Sequence, residues 1–394
     1  MTLRDLWRLD PAVTFLNHGS YGACPAAVLD YQAELRARLE RQPVQFLGRD
    51  LQPLLMEARA TLATFLGAET ADIAFVTNAT TGVNTVLRSL EFAPGDELLV
   101  TDHVYKACFN ALEYVAGRAG ATVVVAPTPF PVANDDEIVA AIVDRVTPNT
   151  RIALVDHISS PTALIFPIAR IVSELAARGV DTVVDGAHAP GMVPLDLTAL
   201  GAAYYTGNGH KWLCAPKGAA FLYVRRDRQE RIRPLTISHG ADAPLGGNSR
   251  FEVEFAWQGT HDPTAVLSLA ESVRYLPTLV PGGWDEIRRR NHELAVAGRR
   301  LILDRLGMAS PCPEDMLGSI ASIPLPGIPK GDAGNIRRTG DLQAALLSEF
   351  GVEVPIFGWA APIHHMVRIS AQLYNSPDQY ERLADGLLAL LARE

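Results

Sequence analysis

The sequence predicts an α/β protein with a mostly parallel sheet between helices, followed by a smaller C-terminal α+β unit. Two observations support this fold class. From residue 73 to residue 225, short apolar runs of strand length alternate with segments whose apolar residues have helical spacing. Such alternation is typical of parallel strands joined by crossover helices. After residues 281–283, a Pro-Gly-Gly sequence, the composition changes to an arginine-rich helical segment.

The composition limits both the domain number and the partners. The chain has 394 residues, of which 48% are hydrophobic and 20% charged, which suits two domains with sizeable cores. We expect an arm at the mouth of a site over residues 1–25, a large domain over 26–281 and a small domain over 282–394. The formal net charge of −9 argues against nucleic acid, and no apolar stretch predicts a membrane span. Scattered cysteines and a charged N-terminus predict a cytoplasmic protein.

The N-terminal arm carries more polar chemistry than a simple extension needs. Residues 12–22 form a short apolar run that ends in a glycine-flanked turn with Asn17, His18 and Tyr21. Two interpretations are open. The arm is either a strand and turn packed on the body of the protein, or a segment folded over the mouth of an active site.

The rest of the chain is assigned from its periodicity. Residues 26–66 have apolar side chains at helical spacing, and Gly67 is a candidate for the residue that ends this helix. Predicted strands of the large domain cover residues 73–76, 97–101, 122–126, 150–158, 180–185 and 219–224, with helices at 83–90, 109–119, 137–146, 168–178 and 264–279. In the small domain, helices at 284–306, 339–350 and 376–393 accompany strands at 318–324, 352–357 and 365–371, with a loop at 326–335.

Residues 204–218 contain the main chemical signal. An aromatic pair runs into small residues, the dipeptide His210-Lys211 and a Pro-Lys-Gly turn. A lysine among apolar neighbours has a lowered pKa and can act as an amine nucleophile. An apolar run upstream ends in the carboxylate of Asp185. Together, Asp185 and Lys211 indicate a Schiff-base lysine and a partner for a pyridinium nitrogen, the pair that pyridoxal phosphate (PLP) requires.

A second signal is an anion site at the start of a helix. Residues 77–82 place hydroxyl and amide side chains between the strand at 73–76 and the next helix. Free N–H groups and the helix dipole favour a phosphate at such a position. Alternatively, Asn78 or Thr80 simply caps the helix.

The carboxyl ends of the strands supply further candidates. His103 and Tyr105 follow the strand at 97–101, and ligands of parallel sheets bind at such ends. Either ring is a candidate to stack on a planar cofactor.

These features together resemble a known family. Asp185, Lys211, the turn at 77–82 and the segment 367–375 around Arg368 resemble the fold-type-I PLP enzymes of the class-V aminotransferase family. The sequences FLNHGSYG at 15–22 and WQGTHDP at 257–263 are similar to its isopenicillin N epimerase-like branch. The resemblance covers nearly the whole chain.

The resemblance implies a role for each matching residue. Lys211 would form the Schiff base and move protons, Asp185 would bind the pyridine nitrogen, and Arg368 would clamp the substrate α-carboxylate. The remaining cofactor contacts would come from His188 at the phenolic oxygen, from His103 or Tyr105 on the ring, and from Ala79, Thr80, Asn208 and His210 at the phosphate. Thr260 would reach the phosphate of a partner subunit, which implies a homodimer with active sites at the interface. Asn17, His18, Tyr21 and Tyr105 would contact a small amino-acid substrate, and no metal is implied.

The residues that indicate the family do not identify one reaction. Epimerisation needs acid and base groups on both faces of the α-carbon, and His103, Tyr105, His18 and Tyr21 are candidates to complement Lys211. We expect an epimerase-like enzyme, with a β-eliminating C–S lyase or an aminotransferase as the alternatives. A non-catalytic member of the fold is a third interpretation, disfavoured by the intact Lys211.

Desulfurase chemistry is disfavoured by the cysteine positions. Desulfurases of this family carry a cysteine on a loop shortly before the carboxylate-binding arginine. Residues 351–365 contain no cysteine, and Cys312 lies far upstream of Arg368. Glu353, Phe357 and Trp359 lie in this stretch instead, where they either shape the substrate pocket or serve as packing.

Overall fold

The largest sheet of the computed structural model joins seven strands in the order β2-β8-β7-β6-β5-β3-β4. The structure describes residues 2–326, 334–361 and 363–393. Its strands in chain order are β1 Thr14–Phe15, β2 Ile73–Val76, β3 Glu97–Thr101, β4 Thr122–Ala126, β5 Thr150–Asp156, β6 Asp181–Asp185, β7 Tyr204–Asn208, β8 Ala220–Val224, β9 Ile320–Pro324, β10 Val352–Glu353, β11 Ile356–Gly358 and β12 His365–Ser370.

Strands β4, β3, β5, β6 and β7 run parallel, and β8 and β2 complete the sheet in antiparallel pairings. The predicted α/β fold with a mostly parallel sheet is confirmed. Strand β7 is not among the predicted strands, because its sequence, Tyr-Tyr-Thr-Gly-Asn, combines aromatic residues with small and polar ones. All five of its residues are buried between β6 and β8.

Helices pack on both faces of this sheet and on the C-terminal part of the chain. They span His18–Tyr21, Ala26–Arg41, Pro43–Gln45, Leu51–Leu66, Ala79–Ser89, Lys106–Ala119, Asp135–Val143, Ile168–Ala176, Leu197–Leu200, Arg250–Phe255, Thr264–Tyr275, Gly283–Leu306, Gly334–Phe350 and Pro377–Leu391, with a π-helical turn at Phe46–Asp50. Gly67 ends its helix in the left-handed conformation (φ 62°), as predicted. Within the described residues, no helix is both long and apolar enough to cross a bilayer.

Alternate side chains of each central strand enter different cores. On β5, Ala153 and Val155 belong to one buried cluster, whereas Ile152 and Leu154 belong to another on the opposite face. Strands buried on both faces need apolar residues at consecutive positions. The continuous apolar runs in the sequence follow from this arrangement.

The C-terminal part forms a three-stranded antiparallel sheet of β11, β12 and β9. The single strand predicted over 352–357 is two strands, because Pro355 lies between β10 and β11 and lacks the N–H that a ladder requires. Most of the loop predicted at 326–335 lies outside the described residues. The predicted domain boundaries at residues 25 and 281 stay a prediction.

The N-terminal arm pairs with the C-terminal part of the chain. Strand β1 runs parallel to β10, with Thr14 beside Val352 and Phe15 beside Glu353. The chain then turns at Gly22, whose φ is 70°, and a Cβ there would lie 1.9 Å from the His210 carbonyl oxygen. Only glycine allows the arm to approach the Lys211 loop this closely.

Candidate active site

A pocket of about 380 Å³ opens where β5, β6 and β7 end. This is the edge where parallel sheets bind ligands. Its wall is formed by Ser20, Tyr21, Thr77, Asn78, Ala79, Thr80, Tyr105, Asp156, Ile158, Ser160, Asp185, Ala187, His188, Asn208, His210, Lys211, Lys217 and Gly218. The structure therefore brings most of the residues singled out in the sequence into one cavity.

Lys211 presents its amine to this pocket from the loop after β7. Burial, together with the charge of Arg368, lowers the pKa of Lys211 to about 7. The Nζ atom lies 2.9 Å from Nε2 of His188, and the Trp212 indole N–H donates to Nδ1 of that histidine (3.4 Å). This pattern assigns the His188 proton to Nε2, which then donates to an uncharged lysine amine. The geometry favours the nucleophilic form of Lys211.

Asp185 ends strand β6 and is 3% exposed. Burial raises the pKa of its carboxyl group, while hydrogen bonds from the Cys108 thiol (3.1 Å) and the Ala187 N–H (3.0 Å) lower it. A protonated ring nitrogen facing this carboxylate would stabilise the charged form further. The environment of Asp185 suits the partner of a pyridinium.

The predicted phosphate-binding site lies at the start of helix Ala79–Ser89. Asn78 caps this helix, accepting a hydrogen bond from the Thr81 N–H (2.8 Å), so the capping interpretation holds for Asn78. The Ala79 N–H, expected to face a phosphate, donates to Oδ1 of Asn208 instead (2.8 Å). This bond orients the Asn208 amide so that its NH₂ group is the remaining donor. Thr80 lines the pocket beside it.

His210 adds a buried ring atom without a partner in the described structure, Nδ1. Burial and the charges of Lys211 and Lys217 lower the pKa of His210 to about 4. A dianion beside the ring would act in the opposite direction and favour protonation of Nδ1. The Asn208, Thr80 and His210 set is thus suited to an anion.

Arg368 lies on β12, is 1% exposed and has no carboxylate partner in the described residues. Its guanidinium donates to the carbonyl oxygen (2.7 Å) and hydroxyl (2.9 Å) of Ser160 and to the Ser20 hydroxyl (3.3 Å). Phe357 packs against it, with Cζ 5.1 Å from the ring centroid. Because Ser20 and Ser160 line the pocket, this buried cation lies just behind the pocket wall.

His18, predicted to contact the substrate, lies behind the lysine and outside the pocket. It is fully buried and is hydrogen-bonded at both ring nitrogens: the Tyr374 hydroxyl (2.7 Å) and the Ala23 N–H (3.3 Å) donate to Nδ1, and Nε2–H donates to the Lys211 carbonyl (3.0 Å). Burial lowers the pKa of His18 to about 3. His18 therefore supports the backbone of Lys211 as a neutral ring, and its expected contact with the substrate stays a prediction.

Replacing His18 with alanine is expected to lower the free energy of unfolding by about 3 kcal/mol, because a buried ring is lost and two polar groups lose partners. Denaturant unfolding of the apoenzyme measures this change. Tyr374→Phe, which removes one hydroxyl, is the matched control and should cost about 1 kcal/mol. Full stability of His18→Ala combined with lost activity would instead assign His18 a chemical role.

His103, predicted as a candidate to stack on the cofactor, also lies outside the pocket wall. The structure does not bring it into the pocket: it is fully buried, with Nδ1 bonded to the Thr162 hydroxyl (2.9 Å) and Nε2 to the Thr128 carbonyl (3.2 Å). Burial lowers its pKa to about 4. Tyr105, two residues later, lines the pocket and is 48% exposed. Tyr105 is consequently the available ring for stacking on a cofactor.

The other predicted residues are distributed around the pocket. Asn17 donates to Glu353 (3.1 Å), and Trp359 packs on His103 with ring centroids 5.0 Å apart. Asn17, Glu353 and Trp359 contact other side chains and do not line the pocket, and the expected substrate contact of Asn17 stays a prediction. Tyr21 lines the mouth of the pocket and is 74% exposed. The arm is therefore both packed on the body and folded over the mouth.

Thr260 is exposed and does not line this pocket. Such a position is compatible with a contact to a second subunit.

Four polar lining residues, Ser20, Asp156, Ser160 and Lys217, were not predicted as site residues from the sequence. Asp156 and Ser160 lie at the end of β5, and the rule that ligands bind at the ends of parallel strands would have pointed to both. Ser20 lies inside the Asn-His-Gly-Ser-Tyr turn of the arm. Lys217 lies in the Pro-Lys-Gly turn and donates to the Gly22 carbonyl (3.0 Å).

The donor set fits PLP. An uncharged amine, a buried carboxylate and an anion-binding end occur in one cavity, as Lys211, Asp185 and the group of Asn208, Thr80 and His210. A phosphate beside His210 would supply the partner that its Nδ1 atom lacks in the described structure. Tyr105 supplies an aromatic surface.

Comparisons with known proteins support PLP as the cofactor. The family model for aminotransferase class-V matches residues 23–383. Isopenicillin N epimerase of Streptomyces clavuligerus is 36% identical over 97% of this chain and 96% of that protein. Putative L-cysteine desulfhydrase 1 of Oryza sativa subsp. japonica is 33% identical over 97% of this chain and 84% of that protein.

A solved structure shows the same fold. The cystine C–S lyase C-DES, in complex with its reaction product cysteine persulfide, superposes with a TM-score of 0.79 at 22% identity, covering 95% of this chain and 97% of that one. A C-DES variant with glycine covalently linked to its PLP cofactor superposes with a TM-score of 0.78 at 22% identity, covering 98% of this chain and 99% of that one.

Proposed function

The chain belongs to the aminotransferase class-V family, and from this premise we propose that it is an epimerase acting at the α-carbon of an amino acid or amino-acid derivative. Its cofactor is pyridoxal 5′-phosphate. When bound, the cofactor supplies an electron sink that makes the α-proton of an attached amino acid acidic. The residues of this chain must bind the cofactor, orient the substrate and move the proton.

Lys211 is the residue that we propose to hold the cofactor and to remove the α-proton. Its lowered pKa makes the amine available as a base near neutral pH. Asp185 would keep the ring nitrogen protonated, His188 would face the phenolic oxygen, and Tyr105 would stack on the ring.

The observation that carries the proposal is the buried Arg368 without a carboxylate partner in the described residues. Burying a cation is costly unless an anion compensates it. The Ser20 and Ser160 contacts hold the guanidinium against the wall of the pocket that contains Lys211. An α-carboxylate is the anion that a planar guanidinium binds in two-point geometry.

Epimerisation also needs a proton donor on the second face. With His18 and His103 outside the pocket, Tyr21 and Tyr105 are the remaining candidates for this role. The identity of 36% to an isopenicillin N epimerase over 97% of the chain supports epimerisation as the reaction.

A homodimer is part of the proposal. Thr260 is exposed and lies outside the wall of its own pocket, which suits a contact with the phosphate of a second subunit. The four cysteines are buried, unpaired thiols, which supports a cytoplasmic location.

The second candidate is β-elimination by a C–S lyase. This reaction needs Lys211 and a donor for the leaving group, without a second base, and the position of two histidines outside the pocket favours it. The 33% identity to a putative L-cysteine desulfhydrase points in the same direction. None of the four cysteines, all within the described residues, lines the pocket, so a desulfurase with a persulfide carrier is disfavoured.

Incubation with a panel of L-amino acids in D₂O separates these reactions. For an epimerase we expect solvent deuterium at the α-carbon, with the D-isomer accumulating, because proton return occurs from either face. Mass spectrometry and chiral chromatography measure both. Release of pyruvate and sulfide without D-isomer would instead establish the lyase, and formation of a keto acid would establish an aminotransferase.

A further inference from the structure

Asp156 is a buried carboxyl group at the pocket that the proposed function does not use. It is the last residue of β5, and the register of β5 and β6 places it directly beside Asp185. Asp156 is 2% exposed and lines the pocket. Its Oδ1 atom has no hydrogen-bond partner in the described structure, so it needs one from a bound group.

The two carboxyl groups have different surroundings. Asp185 accepts hydrogen bonds from the Cys108 thiol and the Ala187 N–H, at 3.1 and 3.0 Å, which favour its ionised form. For Asp156, burial and the negative charge of Asp185 raise the pKa well above its usual range, and only the Tyr105 backbone N–H and the charge of Lys211 oppose this. Neighbouring buried carboxyls rarely ionise together.

The titratable groups that face Asp156 do not remove this difference between the two carboxyl groups. Asp185 faces Asp156 from β6, Lys211 from the loop after β7, and the Cys108 thiol from helix Lys106–Ala119. Of these, Lys211 is the cation, and its hydrogen bond with His188 suits an uncharged amine. The negative charge of the pair therefore belongs on Asp185, and its proton on Asp156.

We propose that Asp156 is a neutral carboxylic acid that donates a hydrogen bond to an anionic oxygen of the group bound in the pocket. The oxygen is either the phenolic oxygen of the cofactor or the carboxylate oxygen of the amino acid. This inference rests on the proposed function in one respect, that the pocket binds PLP and an amino acid. It does not depend on which reaction follows.

Two variants distinguish a neutral donor from an ionised group. Asparagine has nearly the shape of a protonated aspartic acid and keeps a donor, whereas alanine has none. In the PLP-loaded protein without substrate, Asp156→Asn should leave the pH midpoint of the visible absorbance unchanged. Asp156→Ala should raise this midpoint by about one pH unit, because a hydrogen bond to a charged oxygen is lost.

If the carboxylate is the acceptor, the absorbance midpoint stays constant in both variants. The dissociation constant of a non-reacting amino-acid analogue then rises about tenfold in Asp156→Ala and not in Asp156→Asn. The proposal is wrong if Asp156→Asn shifts either quantity as Asp156→Ala does, or if neither variant changes either quantity. Both readouts precede turnover, so a lyase and an epimerase give the same result.

The apoenzyme provides an independent measurement. A carboxyl whose folded pKa exceeds its unfolded value of about 3.9 binds more protons in the folded state between the two values. Its contribution to stability is complete at low pH and is lost as the pH rises. The ratio of the unfolding constant of the wild type to that of Asp156→Asn should therefore increase as the pH rises, by up to about tenfold per pH unit. A constant ratio between pH 5 and pH 8 would contradict the protonated state.

Discussion

Replacing Lys211 with alanine is expected to abolish both turnover and the visible absorbance of the lysine-bound cofactor. The amine lies at the point where β6 and β7 end, and its pKa of about 7 makes it both the attachment point and the base. Alanine removes both functions at once. Absorption spectroscopy after addition of PLP, together with assays on the substrate panel, measures the two losses.

Lys106→Ala is the matched control. Lys106 is an exposed lysine on the helix that begins after Tyr105, and its loss should leave spectrum and turnover unchanged. The Lys211→Ala protein should still bind PLP non-covalently, because the phosphate and ring-nitrogen contacts remain. Retained activity in Lys211→Ala would refute the catalytic assignment, whereas retained fold with lost absorbance would support it.

Replacing Arg368 with alanine is expected to lower kcat/KM for α-carboxylate substrates by about 10²-fold or more, mostly through KM, because a buried charge-assisted contact is lost. Arg368→Lys keeps the charge but not the planar fork, and should recover only part of the loss. Steady-state kinetics on the preferred amino acid from the panel measure both variants.

An amine that lacks the carboxylate provides the control for this prediction. Its rate of reaction with the bound cofactor should be equal in the wild type and in Arg368→Ala, since the arginine has no partner in that substrate. An unchanged KM for the amino acid would remove the carboxylate-binding assignment. It would also leave the burial of Arg368 without a compensating anion.

Local patterns were sufficient to predict the residues that follow strands. Lys211 and Asp185 each follow an apolar or aromatic run with small residues nearby, and the parallel sheet brings such strand ends together. Gly67 was similarly predictable, because a left-handed helix end favours glycine. In each case the decisive interaction is close in sequence or is imposed by the parallel topology.

The direction in which a side chain points was not predictable from local sequence patterns. His103 and Tyr105 are two residues apart after one strand, yet the first points into the core and the second into the pocket. The difference arises from the groups that surround His103, which are Thr162, Thr128 and the rings of Phe166 and Trp359. For His18, the deciding partners were Tyr374 and the Lys211 carbonyl, both distant in sequence.

The pairing of the arm with β10 has a consequence for biosynthesis. The arm leaves the ribosome before its strand partner is made, because Asn17 bonds to a residue 336 positions later, and Arg368 is translated later still. At elongation rates of roughly 5 to 20 residues per second, the arm waits roughly 20 to 70 s for its strand partner. A nascent chain that already contains Lys211 and Asp185 should therefore remain unable to form the finished pocket until translation is nearly complete.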